Sequence, residues 1–435
     1  MQKELLLHKN ARFIWIVSSL LMKLTSLFVL IIFGNSLNAQ TQGFEALIDS
    51  GEAEYNRQLQ GPEGDFSKAK GLFEQALKLQ PDNTTTRYFY GYTLDKLNST
   101  DGSKMDSIQL TRTIKASEQF EFINKKEPKY NGPVLVLDPY SKITAIWGSQ
   151  AHAYMSQGKR DSVLWALKEG KRRGGFLAPL LSYNRHVLGD CSKNAVLLTS
   201  GDDITFPILY LQQVEGFRTD VTAVDVNLLH SVWYPKYLKL KRAVQLTYTD
   251  ADLDTLSYSK WTPITVTVTD TQNQKKIFFW TVKPTYRGEY FLKGDKVLLD
   301  LLKNTIFKRE IYYSEPRPDS SINLSLGNHL FAIGITSKLI VDDNLHTLHS
   351  TTMKNLKKFH IPEEYQNNIR NSPSVTPVLN YYRYAYMVKI YELLNTNKKE
   401  AERLFLEMKT KFPVSLFAYD SNLKANVENL ETMFN

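Results

Sequence analysis

A single cysteine, Cys191, stands in a chain of 435 residues. No intramolecular disulfide can form, even in an oxidising compartment, so packing must supply the stability. With no motif around it, Cys191 reads as a small core residue. Long apolar runs are missing beyond residue 40. Stretches such as Pro207–Leu211 or Val297–Leu302 fall far short of the ~20 apolar residues that span a bilayer. Strong charge of one sign is missing as well. The formal net charge is +9, and the densest basic clusters, Lys171-Arg172-Arg173 and Lys239-Lys241-Arg242, are short. They read as solvated helix faces rather than the contiguous basic surface that nucleic acid demands. No Gly-x-Ser-x-Gly, His-Glu-x-x-His, Gly-rich phosphate loop or Cys-x-x-Cys occurs. No catalytic residue, metal-ligand set or cofactor is therefore expected.

One apolar run is present, at the start. Leu24–Phe33 follows Lys23 and precedes Asn35-Ser36-Leu37-Asn38-Ala39-Gln40, the layout of an export signal over residues 1–39 with cleavage after Ala39. Met22-Lys23 is itself a compact signal start and an alternative site of initiation. The competing reading is an uncleaved anchor from Phe13 to Phe33, although Lys23 and several serines interrupt it. Removal of residues 1–39 takes Lys3, Lys9, Arg12, Lys23 and Glu4 and leaves a net charge of about +6. A periplasmic or otherwise exported protein is expected, touching the membrane only if this segment is retained.

Helical repeats account for both flanks. Ala69, Phe73, Ala76 and Pro81 have the spacing of a second tetratricopeptide helix and its stop, where small or apolar residues let two helices cross. Ala116, Phe120, Ile123 and Pro128 repeat it, as do Ala401, Phe405, Met408 and Pro413. Trp147, Ala151, Tyr154 and Gly158 fit a first helix, with Val163 and Leu167 in the helix after it. Between the flanks, Ala195–Thr199 is strand-like, Pro207–Glu215 helix-like and Val221–Val226 strand-like, the order of a parallel βαβ unit. Ile264, Val266 and Val268 alternate with threonines, residues 270–276 turn the chain, and Ile277–Val282 returns it as a hairpin. Lys296–Phe307 reads as an amphipathic helix and Glu310–Ser314 as the next strand. The expected fold class is α/β plus all-α. Tetratricopeptide-like repeats over 40–175 and a helical region over 346–435 with one such pair flank an α/β, Rossmann-like domain over 184–345 with a β-hairpin insert.

Ligands in open sheets gather where strands end and loops begin, which singles out Asp202 and Asp203. Two adjacent carboxylates there suit a cation, sugar hydroxyls, or acid and base chemistry. They equally suit capping of the following helix, with Thr205 beside them. Asp225 and Asn227 end the second strand, followed by His230, Trp233 and Tyr234, a set able to stack on and read a sugar ring or simply to join the helix to the sheet. His346 and His349, three apart, lack a third ligand and read as surface residues.

The same stretch carries a family resemblance. Gly201, Asp202, Thr205, Phe206, Pro207, Tyr210, Glu215, Gly216, Arg218, Asp220 and Val221 resemble a segment in the soluble C-terminal region of bacterial protein O-mannosyltransferase-like membrane glycosyltransferases. Asp203 stands where that family has Asn, and Ile204 replaces its second Asp. Arg309–Tyr313, Leu330–Gly334 and Ser337–Val341 extend the likeness, which covers roughly residues 140–415. The transmembrane bundle that carries that family's catalysis has no counterpart after residue 40, so the resemblance implies no transferase activity. The leading expectation is an exported, non-catalytic scaffold whose repeat groove holds an envelope protein or peptide, linked by resemblance to glycosylation. The alternative is a sugar- or cation-binding, carbohydrate-active domain at the Asp202-Asp203 loop, with a glycan as partner. A signal-anchored subunit beside a separate membrane transferase is the third.

Overall fold

The structure is a computed structural model that describes residues 41–61, 66–99, 105–320, 322–341 and 345–434. The export-signal, Met22 and anchor readings lie outside the described residues. The chain divides into two compact units, the first ending at Thr93 and the second running from Leu94 to Asn435. The division falls inside the stretch read as one helical array.

The first unit is helical: α1 (41–60), α2 (Phe66–Leu79) and the opening turns of α3 (Thr84–Ser99). Phe44, Ile48 and Ala76 form one small core. Tyr55, Phe73, Phe89 and Tyr88 form a chain of ring contacts beside it. A Cβ at Gly51 would meet the Phe73 ring at 2.6 Å, so only glycine lets α1 approach α2 this closely.

In the second unit α4 (Leu110–Lys126), α5 (Pro139–Ser156), α6 (Arg160–Arg172) and α7 (Ala178–Asp190) precede the sheet. Trp147, fully buried on α5, donates to Ser117 Oγ at 2.9 Å, and its ring lies 5.3 Å from the Arg173 guanidinium. The sheet elements follow in alternation: β1 (Val196–Thr199), α8 (Asp202–Gln213), β2 (Thr222–Asp225), α9 (Trp233–Leu240) and α10 (Asp250–Thr255). Next come β3 (Ser259–Lys260), the hairpin β4 (Ile264–Thr269) and β5 (Ile277–Val282), and β6 (Tyr290–Phe291). The amphipathic helix α11 (Lys293–Thr305) then leads to β7 (Ile311–Tyr313), β8 (Leu330–Ile333) and β9 (Thr336–Leu339). The main sheet has the order β2-β1-β7-β9-β8, with β2, β1 and β7 parallel and β9 and β8 antiparallel. Connections from β1 run to one side and later return to the other, so the strand order reverses between β1 and β7.

Period-two alternation sorts the strands between two faces. Val196, Leu198, Val224, Ile311 and Tyr313 join Val297, Leu298, Leu301 and Leu302 of α11 and Trp280 of the hairpin in one core. The other face receives α8, where Thr199 meets Thr205. The chain closes with α12 (Leu345–Lys358), α13 (Gln366–Asn371), α14 (Val375–Leu393), α15 (Lys398–Lys411) and α16 (Ser421–Phe434). His346 and His349 lie on α12, and their side chains are outside the described residues. Arg383 of α14 is fully buried and donates to the carbonyls of Phe412, Pro413, Phe417 and Ala418.

The molecule is therefore a mixture of helices and small sheets, and among the described residues no helix is long and apolar enough to cross a membrane. One boundary differs instructively from expectation. Helix α8 begins at Asp202, five residues before Pro207, which sits inside it. A proline there removes the N–H that would reach the Asp203 carbonyl. Asn184 of α7 supplies a replacement, its Nδ2 donating to Asp203 O at 3.0 Å. The helix passes through its proline because another helix satisfies the carbonyl the proline abandons.

Candidate functional site

Gly201 ends β1 with φ +87°, a conformation natural to glycine alone. It turns the chain so that α8 starts at once, its first bonds running from Ile204 N and Thr205 N to Gly201 O at 3.1 and 2.9 Å. No side chain caps this helix. That corrects the capping alternative for Asp202 and Asp203: with the turn closed by the Gly201 carbonyl, the carboxylates occupy the first helical turn, where they complement the helix dipole without bonding its amides.

The two carboxylates differ. Asp203 is buried, with 8% of its surface exposed. Its Oδ2 accepts from Ser141 Oγ at 3.5 Å, and its Oδ1 has no hydrogen-bond partner within the protein. Burial, then the charges of Asp202 and Asp138, push its pKa up to about 8, against a small opposing pull from Ser141. Asp202 keeps an exposed surface although protein surrounds its carboxylate closely. That desolvation raises it to about 6, with Lys142 opposing, and solvent contact moderates the push. Lys142 makes an ion pair with Asp95 of α3 at 2.6 Å, both side chains about nine-tenths buried. The buried acid thus holds its proton more tightly than its accessible neighbour, the separation of pKa values that acid-base pairs use. The pair would equally donate to and accept from the hydroxyls of a ligand.

The remaining predicted residues are engaged elsewhere. Asp225 accepts from Thr205 Oγ1 at 2.7 Å and from the amides of Asn227 and Leu228 at 2.8 and 3.1 Å. Burial raises its pKa, and those three donors oppose the rise. Asn227 Nδ2 donates to Ser200 Oγ at 3.1 Å. Tyr234 is buried, its hydroxyl accepting from the Asp225 amide at 3.0 Å. His230 turns away to α11, where its Nδ1 accepts from Gly294 N at 3.3 Å. Desolvation holds that imidazole below its ordinary pKa, as a neutral acceptor at a helix N-terminus requires. Trp233 meets the Tyr234 ring edge-on and the His152 ring of α5 at a tilt. Asp202, Asp203, Thr205, Asp225, Asn227 and Tyr234 are brought to one end of the sheet, whereas His230 and Trp233 face other elements.

Several members of this group were invisible in the sequence. Lys142 and Asp95 are 47 residues apart, and no local pattern joins them. His152, buried among Phe206, Trp233 and Tyr234 with its pKa pushed down to about 4 by burial, carries no motif. Asp138 had a signal: Asp before Pro is a helix start. Its Oδ1 accepts from the amides of Tyr140 and Ser141, while Oδ2 accepts from Ser372 Oγ and Ser374 N. This one buried carboxylate fastens α5 to the segment before α14. Among the described residues no group of three or more His, Cys, Asp or Glu side chains is arranged to hold a metal ion.

With this geometry in hand, residues 181–262 match the family model described as TMEM260-associated domain 2. The match spans β1, α8, β2 and α9, and with them all eight predicted site residues. No curated protein matches the chain.

Proposed function

We propose that this chain is an exported, non-catalytic interaction protein of the cell envelope. In this reading tetratricopeptide-like helix pairs flank a Rossmann-like domain, and the repeat groove holds an envelope protein or peptide that serves a glycosylation pathway. The observation that carries it is how the predicted sugar-reading residues are spent. Asp225, Asn227, His230 and Tyr234 each bond within the fold, which leaves little to turn toward a substrate. Helix pairs with small residues at their crossings support the repeat reading: Ala69, Ala76, Ala116 and Ala401 are fully buried. The resemblance to O-mannosyltransferase-like proteins and the TMEM260-associated match support the pathway link.

The test is fractionation and in-cell crosslinking of the chain in its host, with Trp165→Glu on the exposed face of α6 as the variant. Trp165 is 44% exposed and stacks edge-on upon Trp147. Recovery in the envelope fraction with a defined partner that Trp165→Glu loses is the expected result. A cytoplasmic protein, or one whose crosslinks ignore Trp165, would sink the proposal.

A second reading has its own observation, the partnerless Asp203 Oδ1 beside the accessible Asp202. It makes this loop a binding site for a hydroxyl-rich ligand, a glycan in particular. Glycan-array binding abolished by Asp202→Asn/Asp203→Asn, in a variant that still folds, would favour it over the scaffold.

A further inference from the structure

At the amino ends of the same strands lies an open cleft of about 480 Å³, lined by the end of α9, the loop after it, the end of α11 and the approach to β7. Its lining includes Lys239, Arg242, Lys308 and Arg309 and no carboxylate. Lys239 is neutralised by Asp250 at 2.7 Å. The other three keep their charge: among the described residues none pairs with a carboxylate. Arg309 is the fixed member. Its guanidinium donates to the carbonyls of Asn194, Ala243 and Ala195 and to Thr222 Oγ1, so it is held by neutral oxygens at the entry to β1 and β2. Lys308 Nζ reaches only an amide oxygen, Gln245 Oε1, at 2.8 Å.

Arg242 is the informative one. Helix α9 ends in a Schellman turn, Ala243 N bonding Leu238 O at 3.0 Å and Arg242 N bonding Lys239 O at 2.9 Å. The residue at that turn takes φ +51°, where glycine is least strained. An arginine stands there instead, exposed at the rim of the cleft. Among the described residues nothing bonds its side chain, and strain accepted at such a position points outward, to a ligand.

We infer that this cleft binds a phosphate or diphosphate group carried on a small organic body. The forked donors of Arg242 and the Lys308 ammonium, beside the fixed charge of Arg309, match the charge and geometry of a phosphoryl dianion. The volume lies within the ~300–1,000 Å³ of small-molecule pockets and exceeds the needs of the anion alone. Val244 and Leu246 give the body an apolar wall.

The test is calorimetric titration of the whole chain with inorganic pyrophosphate and with glycerol 3-phosphate at low and high salt, beside phosphatidylglycerol vesicles. Saturable binding of the soluble phosphates is expected, weakening with salt because the site is open. Arg242→Gly and Lys308→Gln should each weaken it about tenfold. Arg242→Gly relieves the turn, so its melting temperature holds or rises and the loss cannot be assigned to unfolding. Equal affinity in the Arg242→Gly/Lys308→Gln double variant would overturn the assignment. So would the absence of saturable binding at low salt, or binding to the vesicles alone.

Discussion

At the carboxyl ends of β1 and β2, Asp202, Asp203 and Asp225 gather beneath α5, joined by the buried Lys142–Asp95 pair. At the amino ends of the same strands, Arg242, Lys308 and Arg309 surround an open cleft with no acid in its lining. At the acidic end the fold takes up Asp225 and one oxygen of Asp203, while Asp203 Oδ1 lacks a donor and Asp202 stays open to solvent. At the basic end Arg309 is held by four bonds and Lys308 by one, and the exposed Arg242 faces solvent. Open sheets of this kind are expected to bind at the carboxyl edge, yet here helix α5 packs over part of that edge through Ser141, and unpaired cations stand at the opposite one. The difference teaches that a fold's customary binding edge is available only when no neighbouring helix has taken its polar groups.

Four substitutions test the contrast, from the largest effect to the smallest. Asp225→Ala leaves the Thr205 hydroxyl and two loop amides without their acceptor at the closed end. A loss of about 3 kcal/mol in a denaturant melt is expected, and a loss below 1 would show that the network is looser than drawn. Gly148→Ala attacks the closure itself, since its Cβ would lie 2.2 Å from the Phe206 ring where α5 meets α8. Overpacking there should cost about 2 kcal/mol; unchanged stability would mean that α5 can lift away. At the open end, Arg309→Ala removes four hydrogen bonds to groups on two loops and on β2 and should cost about 1.5 kcal/mol, because that side chain is partly solvated.

Asp203→Asn gives the smallest change at low pH and is read by its pH dependence. The folded-state pKa of Asp203 is raised to about 8 from an ordinary 3.8. The folded protein therefore holds that proton more tightly than the unfolded chain, and its stabilisation is full below pH 3.8 and lost as pH rises through about 8. The asparagine cannot ionise, so its stability relative to the parent should be distinctly greater at pH 8.5 than at pH 5. A difference that is the same at both pH values would place the Asp203 carboxyl in water.

Much of the α/β core could be read in advance because its signals are local. The β4–β5 hairpin occupies Ile264–Thr269 and Ile277–Val282, as alternation with threonine and the polar turn indicated. The strands at Val196–Thr199 and Thr222–Asp225 and the helix at Lys293–Thr305 fall within a few residues of their apolar patterns. What could not be read is non-local. Proline punctuates helices in isolated sequence, and nothing in residues 195–215 announces that Asn184 will repair the gap Pro207 makes. The carboxylate pair was visible as a pair, but its protonation depends on Ser141, Asp138 and Lys142, which lie some 60 residues earlier in the chain. The cations of the open cleft looked like scattered surface charge because Arg242 and Lys308, far apart in sequence, line one cleft only in the folded chain.

The repair of Pro207 also governs how the molecule breathes. A helix's first turn ordinarily frays by itself, since its few internal bonds open without disturbing anything else. Here the Asp203 carbonyl belongs to α7 through Asn184, so the turn that carries both acidic residues cannot open unless α7 shifts with it. The two helices are then expected to open as one unit, with the amides of Ile204 and Thr205 exchanging on the slow timescale of the core rather than the fast one of a surface turn, as hydrogen exchange would show.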